Sequence, residues 1–424
     1  MRGGTSHDDR PFGAPQTGEA PQAKKRILFV DDDLDLLESL KDTMRRYRRV
    51  WEVDFAPGGE QALAALAAQA ADVVISDMLM PAMDGATLLA HVRDGWPTTV
   101  RIILSGYARP ELLTRAATVA HRFLGKPCDA QELGQLIERS CALRELTEQT
   151  EAYRVTAAAT TLPSRPGLYT ELTQLLADPA WRPDQIATLI EHDTAMTAKV
   201  LQLANSAFFG VRHQVTRVRD AVVYLGVETI KSLTLTAEAF GKLAPEDVDG
   251  FSIDEFQRHS MLVGRIAAGI LADGRAQQEA LTAALLHDIG KLVLIAEDPR
   301  RWALLNDEAR RRQRPLHEIE QQLDGVTHAD TGAYLLSLWG LPDDVVEAVA
   351  HHHDPQSVPG LELDPVAAVH IADALAHELE PTADGAPPPG TLDEELLDRL
   401  GLAPRQNLWR HLAARSASQL SRSE

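Results

Sequence analysis

Cysteine is scarce in this chain: Cys128 and Cys141 are the only two in 424 residues. They are too few and too close together for a disulfide framework, and no zinc-ligand spacing surrounds them, so a reducing cytosol is the expected setting. No uncharged apolar run reaches the roughly 18 residues that a membrane span needs. The opening stretch MRGGTSHDDRPFGAPQTGEAPQ lacks the apolar centre of a signal peptide, so neither insertion nor export is expected. Positive charge is also short: 42 Lys and Arg stand against 62 Asp and Glu, a net charge of −20. That balance disfavours nonspecific attraction to DNA phosphates or anionic lipid, and no helix-turn-helix with base-reading residues is evident. With 44% hydrophobic and 25% charged residues, the bulk of the chain is globular, and its length argues for two or three domains.

Residues 1–24 are rich in Pro, Gly, Gln and charge without periodicity and read as a disordered leader. From KKRILFVDDD onward, β-rich runs at 26–30, 51–55, 72–76, 100–104 and 121–124 alternate with helical patterns. This is the pattern of an α/β unit, a doubly wound parallel sheet of five strands. Beyond residue 129 the periodicity becomes helical and no further strand is evident, so an all-α half follows. TLPSRPG at 161–167 marks the boundary, with the helix before it as a connector. EPTADGAPPPGTLDEE makes a second break, followed by an amphipathic stretch around Leu408 and Leu412.

Ligands of parallel α/β sheets sit at the carboxyl ends of the strands. Asp31 and Asp32 end the first strand, Asp77 the third, and Ser105 the fourth, while Lys126 follows the fifth. Three converging carboxylates repel one another unless a cation joins them, which points to Mg²⁺ with oxygen ligands. A carboxylate nucleophile, a divalent cation, a hydroxyl and a fixed ammonium are what an aspartyl-phosphate needs. On VDDD, SDMLMPAMDG, LSG and GKP, with Pro81 and Gly85 after the acceptor, the segment 25–144 resembles the receiver domain of two-component response regulators. The resemblance implies a flavodoxin-like fold, Asp77 as phospho-acceptor, and Mg²⁺ on Asp31, Asp32, Asp77 and the Leu79 carbonyl. It further implies Ser105, Phe123 and Lys126 as switch residues and a sensor histidine kinase as partner.

Nine of the 15 histidines lie between residues 259 and 377, a concentration that calls for a chemical reason. Imidazoles and carboxylates are natural ligands of Fe, Mn or Zn, and a His-Asp pair can hold one metal or bridge two beside a water nucleophile. The candidates are His259, His287, Asp288, His328, His352, His353 and Asp373, with Lys291 as catalytic support. His370, Asp373 and His377 share a helical face, whereas His317 and the basic run 310–315 are expected on a solvated face. A single histidine on an apolar helix is more often a hydrogen-bonded core residue, and His351 to His353 could cap a helix.

The order H, HD, H, HH, D is that of the HD phosphohydrolase superfamily. Through HDTAMTAKVLQLANSAFFG, VRDAVVYLGVETIKSLTL, ALLHDIGKLVL and HADTGAYLLSLWGLPDDVVEAVAHHHDP, residues 161–375 resemble its HDOD branch. That branch is generally described as signalling modules without demonstrated phosphohydrolase activity. After His353 the chain reads DPQSVPGLELDP, where the cyclic-dinucleotide branch has a glutamate and a Gly-Tyr-Pro loop. The expectation is a cytoplasmic response regulator, with leader 1–24, receiver 25–144, connector 145–160, HDOD output 161–375 and extension 376–424. Its output would bind a protein or nucleotide partner without contacting DNA or membrane, with a homodimer among the forms left open. The alternative is a receiver-regulated, metal-dependent phosphodiesterase acting on a cyclic dinucleotide or (p)ppGpp.

Overall fold

The computed structural model describes residues 24–106, 110–127, 130–147, 162, 167–178, 180–205, 214–240, 248, 250–271, 274–379 and 392–421. Most of the expected leader, most of the connector and Cys128 lie outside them. The first half contains β1 Lys25–Val30, α1 Leu34–Met44, β2 Trp51–Ala56, α2 Gly59–Ala68, β3 Val73–Asp77, α3 Gly85–Gly95, β4 Val100–Ser105, α4 Pro110–Ala117, β5 Arg122–Gly125 and α5 Ala130–Thr147. The strands form one parallel sheet in the order β2-β1-β3-β4-β5. Helices cover both faces, which is why Ile27, Leu28, Phe29 and Val30 run apolar without alternation and are all buried. Asp33 and Asp84 start α1 and α3 by accepting hydrogen bonds from Leu36 N at 3.1 Å and Thr87 N at 2.7 Å.

The second half is helical throughout the described residues: α6 Leu168–Ala177, α7 Pro183–Glu191, α8 Thr194–Ala204, α9 Val218–Leu225, α10 Val227–Phe240, α11 Ile253–Ile270, α12 Gly274–Leu286, α13 Ile289–Glu297, α14 Pro299–Arg312, α15 Leu316–Asp324, α16 His328–Trp339, α17 Asp343–His351, α18 Pro365–Leu379, α19 Glu394–Arg399 and α20 Gln406–Leu420. α11 lies against α12 and α18, and α13 against α16. α20 packs on α11 and α18, so the chain beyond residue 376 belongs partly to this helical body. Its inward face is Trp409, Ala413 and Leu420, while Leu408, expected on the apolar side, is 66% exposed. No helix among the described residues is long and apolar enough to cross a membrane.

The two halves meet directly. Tyr334 and Leu338 of α16 share a core with Leu104, Leu124, Leu133, Ile137 and Cys141. Gln202 of α8 donates its side-chain N–H to the His121 carbonyl at 3.0 Å. Arg101 of β4, fully buried, donates to the carbonyls of Val119 at 2.7 Å and Thr99 at 3.1 Å. Beside it Lys199 of α8 points its ammonium at the Trp339 ring, 4.2 Å from the centroid, with no hydrogen-bond acceptor.

Burial pulls the Lys199 ammonium down to about 7, and the Arg101 charge pushes the same way. A base whose folded pKa lies below its ordinary value of 10.5 opposes folding at full strength below pH 7, and that cost fades as pH rises towards 10. Lys199→Met is therefore expected to raise the thermal midpoint clearly at pH 6.5 and less at pH 9.5. A gain that is the same at both pH values, or a loss at pH 6.5, contradicts a buried unpaired ammonium.

Candidate functional site

At the carboxyl edge of the sheet, the expected acidic residues converge. Lys126 donates to Asp31 Oδ2 at 2.5 Å and also to Asp77 Oδ1. Burial works against the Lys126 charge, but the hydrogen bonds and charges of the two carboxylates outweigh it and hold the ammonium above its ordinary value. Asp31, Asp77 and Ser105 are buried and Asp32 is exposed. Leu79 donates its backbone N–H to Asp77 Oδ2 at 2.6 Å. Gly85 is dictated by close approach: a Cβ there would lie 2.1 Å from the Asp77 carbonyl oxygen. Phe123 is buried in β5 and pairs with Ile103 of β4, two residues before Ser105.

The second cluster lies among α11, α13, α16, α17 and α18. Asp288 precedes α13, and His328 opens α16. The two meet because α13 and α16 touch at Gly290 and Gly332, where a Cβ on Gly290 would lie 1.9 Å from the His328 carbonyl oxygen. His328 Nε2 is 3.2 Å from Asp288 Oδ1, and Lys291 donates to Asp288 Oδ2 at 2.5 Å. On the other side, His259 Nε2 is 3.1 Å from Asp373 Oδ1, which is also 3.3 Å from His377 Nε2. Ligand atoms of Asp288, His328, His352 and His353 lie within 4.8 Å of one another, as do those of His259, His287 and Asp373.

Two imidazoles are oriented by the backbone. His287 and His352 donate their Nδ1–H to the carbonyls of Ala284 and Val349, each at 2.7 Å. Their Nε2 lone pairs thereby face the cluster, buried and without a hydrogen bond. For His287 the nearest oxygens are Asp288 Oδ2 at 3.4 Å and Asp373 Oδ1 at 3.7 Å. Buried polar atoms without partners are costly, and a cation ligated in each group would satisfy them. The donor set of imidazoles and carboxylates therefore fits a transition metal.

Electrostatics support the same geometry. Burial alone would raise Asp288, but the adjacent His287, the Lys291 ammonium and the His328 hydrogen bond take it well below the usual carboxylate range. Asp373 is lowered likewise, its burial outweighed by His377, His259 and His287. His352 and His353 are driven well below ordinary histidine values by burial and by adjacent imidazoles, which favours the neutral, lone-pair-bearing form.

Glu320 of α15 is absent from the sequence-based candidates. It is fully buried and accepts both the His328 backbone N–H at 2.9 Å and the His328 Nδ1–H at 2.7 Å. This is the carboxylate support that orients a ligating imidazole. Nothing in LHEIEQQLDG distinguishes that glutamate from its solvated neighbours. His317, expected on a solvated face, is half-buried and stacks on His353 with centroids 4.0 Å apart. His370, outside both ligand groups, donates Nδ1–H to the His352 carbonyl at 2.7 Å and keeps a buried Nε2 without a hydrogen bond.

A Gly290→Ala substitution should separate α13 from α16, costing about 1–3 kcal/mol and lowering the thermal midpoint by several degrees. Stability equal to that of the parent protein would contradict the close packing that seats His328 beside Asp288.

Comparison with known proteins matches residues 27–138 to the response regulator receiver domain and residues 162–355 to the HDOD domain. An uncharacterized Treponema pallidum protein is 24% identical over 54% of this chain and 45% of its own length. The hydrogenase transcriptional regulatory protein HoxA of Bradyrhizobium diazoefficiens is 30% identical over 32% of this chain and 27% of its own. The chain thus spans less than half the length of these relatives. Among solved structures, the signal receiver domain of an HD domain-containing protein from Pseudomonas fluorescens is 33% identical, covering 29% of this chain and 98% of that one with a TM-score of 0.28. The MmoQ response regulator of Methylococcus capsulatus is 23% identical over 57% of this chain and 98% of that one, with a TM-score of 0.44. The chain belongs to the response regulators that join an N-terminal receiver domain to a C-terminal HDOD domain.

Proposed function

We propose that this protein is a phosphorylation-controlled switch in which Asp77 accepts a phosphoryl group and the HDOD half, built around a metal-holding histidine cluster, signals by engaging a protein or nucleotide partner. A sensor histidine kinase is the phosphodonor that a receiver generally implies. An Asp77 carboxylate oxygen attacks the phosphorus, the donor bond breaks, and an acyl phosphate remains on Asp77. Lys126, already against both carboxylates, offsets the added negative charge. Three acidic side chains outnumber this single cation, so Asp31, Asp32 and Asp77, with the Leu79 carbonyl, suit Mg²⁺. When bound, Mg²⁺ supplies positive charge for the phosphoryl oxygens.

The observation that carries the output reading is the pair of buried, unpartnered Nε2 atoms of His287 and His352 facing Asp288 and Asp373. Fe, Mn or Zn would be held by His259, His287, Asp288, His328, His352, His353 and Asp373, with Glu320 orienting His328. Such a metal would supply Lewis acidity or simply neutralise the buried carboxylates. The complete donor set and Lys291 also suit the phosphodiesterase alternative. Against hydrolysis stands the segment after His353: Gln356 donates to Asp393 at 2.8 Å and accepts from Arg399 at 2.6 Å, while Ser357 pairs with His351. The Gln356 and Ser357 side chains are thus engaged with the protein itself instead of being presented to a substrate phosphate.

With Mg²⁺ and acetyl phosphate the protein should gain one hydroxylamine-labile phosphoryl group, absent in Asp77→Asn; equal labelling of the two proteins would remove Asp77 from this role. The purified protein should carry transition metal, reduced in His287→Ala together with thermal stability, and should not hydrolyse cyclic dinucleotides or (p)ppGpp. Turnover lost in both His287→Ala and Asp288→Ala would establish the phosphodiesterase reading in its place.

A further inference from the structure

The seam between the two halves is built on one helix that also carries a cluster residue. Arg122, the first residue of β5, donates from Nε to the Leu338 carbonyl at 2.8 Å and from Nη2 to the Ser337 carbonyl at 2.7 Å. These carbonyls belong to the last turn of α16, where backbone acceptors are left over and the helix dipole favours a cation. Gly340 completes the seat. It sits at φ +83°, and a Cβ there would lie 2.6 Å from Arg122 Nη1. Any larger residue would displace the guanidinium.

At the opposite end of the same helix stands His328, tied to Glu320 and facing Asp288. α16 runs for 12 residues, about 18 Å at the helical rise, with Tyr334, Leu335, Leu336, Leu338 and Trp339 all buried. Its crossing with α13 at Gly290 and Gly332 leaves no slack. A shift of α16 along or about its axis must therefore change the position of His328 relative to Asp288, because packed cores move between discrete arrangements instead of stretching.

The receiver end has a cause of motion. β5 carries Arg122 at its start and is followed immediately by Lys126, whose ammonium bridges Asp31 and Asp77. A phosphoryl group on Asp77 places new negative charge on that ammonium and changes the partners that hold the end of the strand.

We propose that α16 is the link between the halves: the grip of Arg122 on its C-terminal carbonyls transmits the phosphorylation state of Asp77 to the position of His328 in the histidine cluster. The route runs through the docked face of the receiver, so it does not require the chain between residues 147 and 162 to act as a lever. The proposal rests on the reading of Asp77 as phospho-acceptor and of the cluster as a metal site.

The test is hydrogen–deuterium exchange on the full-length chain in Mg²⁺, with and without beryllofluoride as the phosphoryl mimic, followed on peptides covering residues 326–334 and 335–341. In the parent protein, beryllofluoride should change protection at both ends of α16. Arg122→Ala should abolish the change at the His328 end, and Gly340→Ala, which displaces the guanidinium from the other side of the seam, should repeat the loss. Arg93→Ala, which removes a half-buried receiver arginine paired with Asp94, should leave it intact. An unchanged 326–334 peptide in the parent protein, or a change that persists in both Arg122→Ala and Gly340→Ala, overturns the proposal. Mn²⁺ binding measured on the same samples should differ about 5-fold or more between the two states of the parent protein and not in Arg122→Ala. Absence of Mn²⁺ binding in every sample would instead strike the metal reading, with the exchange at His328 still deciding the coupling.

Discussion

Asp288, Glu320 and Asp373 lie buried inside an apolar helical body, and much of the helical half is arranged around neutralising them. An isolated ionised carboxylate in such surroundings would cost several kcal/mol after relaxation. Here each has a cationic or imidazole neighbour: Lys291 and His328 on Asp288, His328 on Glu320, and His259 and His377 on Asp373. Glu320 and Asp288 raise the His328 imidazole to about 9 against the effect of its burial, and a ligated cation would take the place of its Nε2 proton. The close contact of α13 with α16 at Gly290 is what brings these groups into range.

The receiver solves a related problem at its sheet edge. There too a lysine rests on carboxylates, Lys126 on Asp31 and Asp77, and a glycine, Gly85, permits backbone to approach the acidic group. The difference is access. Asp32 is exposed at this edge, whereas the carboxylates of the helical half are closed in by their own helices. An acidic sheet edge with an exposed carboxylate and an enclosed histidine cluster on one chain suit the proposed control point joined to a sensed interior.

Legibility in the sequence followed the range of the interaction. Asp31, Asp77, Ser105 and Lys126 were readable because each sits at or just beyond the end of a strand whose apolar run announces it, and a parallel sheet brings strand ends together. His287 and Asp288 were readable as an adjacent pair closing an apolar helix. Glu320 was not, since its burial depends on α15 packing beside α16, and nothing local sets it apart from Glu318. His317 was placed on a solvated face for the same reason, although its ring lies against His353. The amphipathic stretch of α20 was found, but the tertiary contact with α11 and α18 turned Trp409 inward and left Leu408 exposed.

By itself the sequence determined the five-stranded receiver, the helical second half, and the residue types that could carry phosphate and metal chemistry, because periodicity and strand-end chemistry are local properties of the chain. Only the tertiary structure decided which imidazoles present a lone pair to the cluster, since that choice depends on backbone carbonyls such as those of Ala284 and Val349. It also decided that Arg122 meets the end of α16, a contact between residues more than 200 positions apart. No local pattern encodes such a meeting; it arises from the docking of two separately patterned halves.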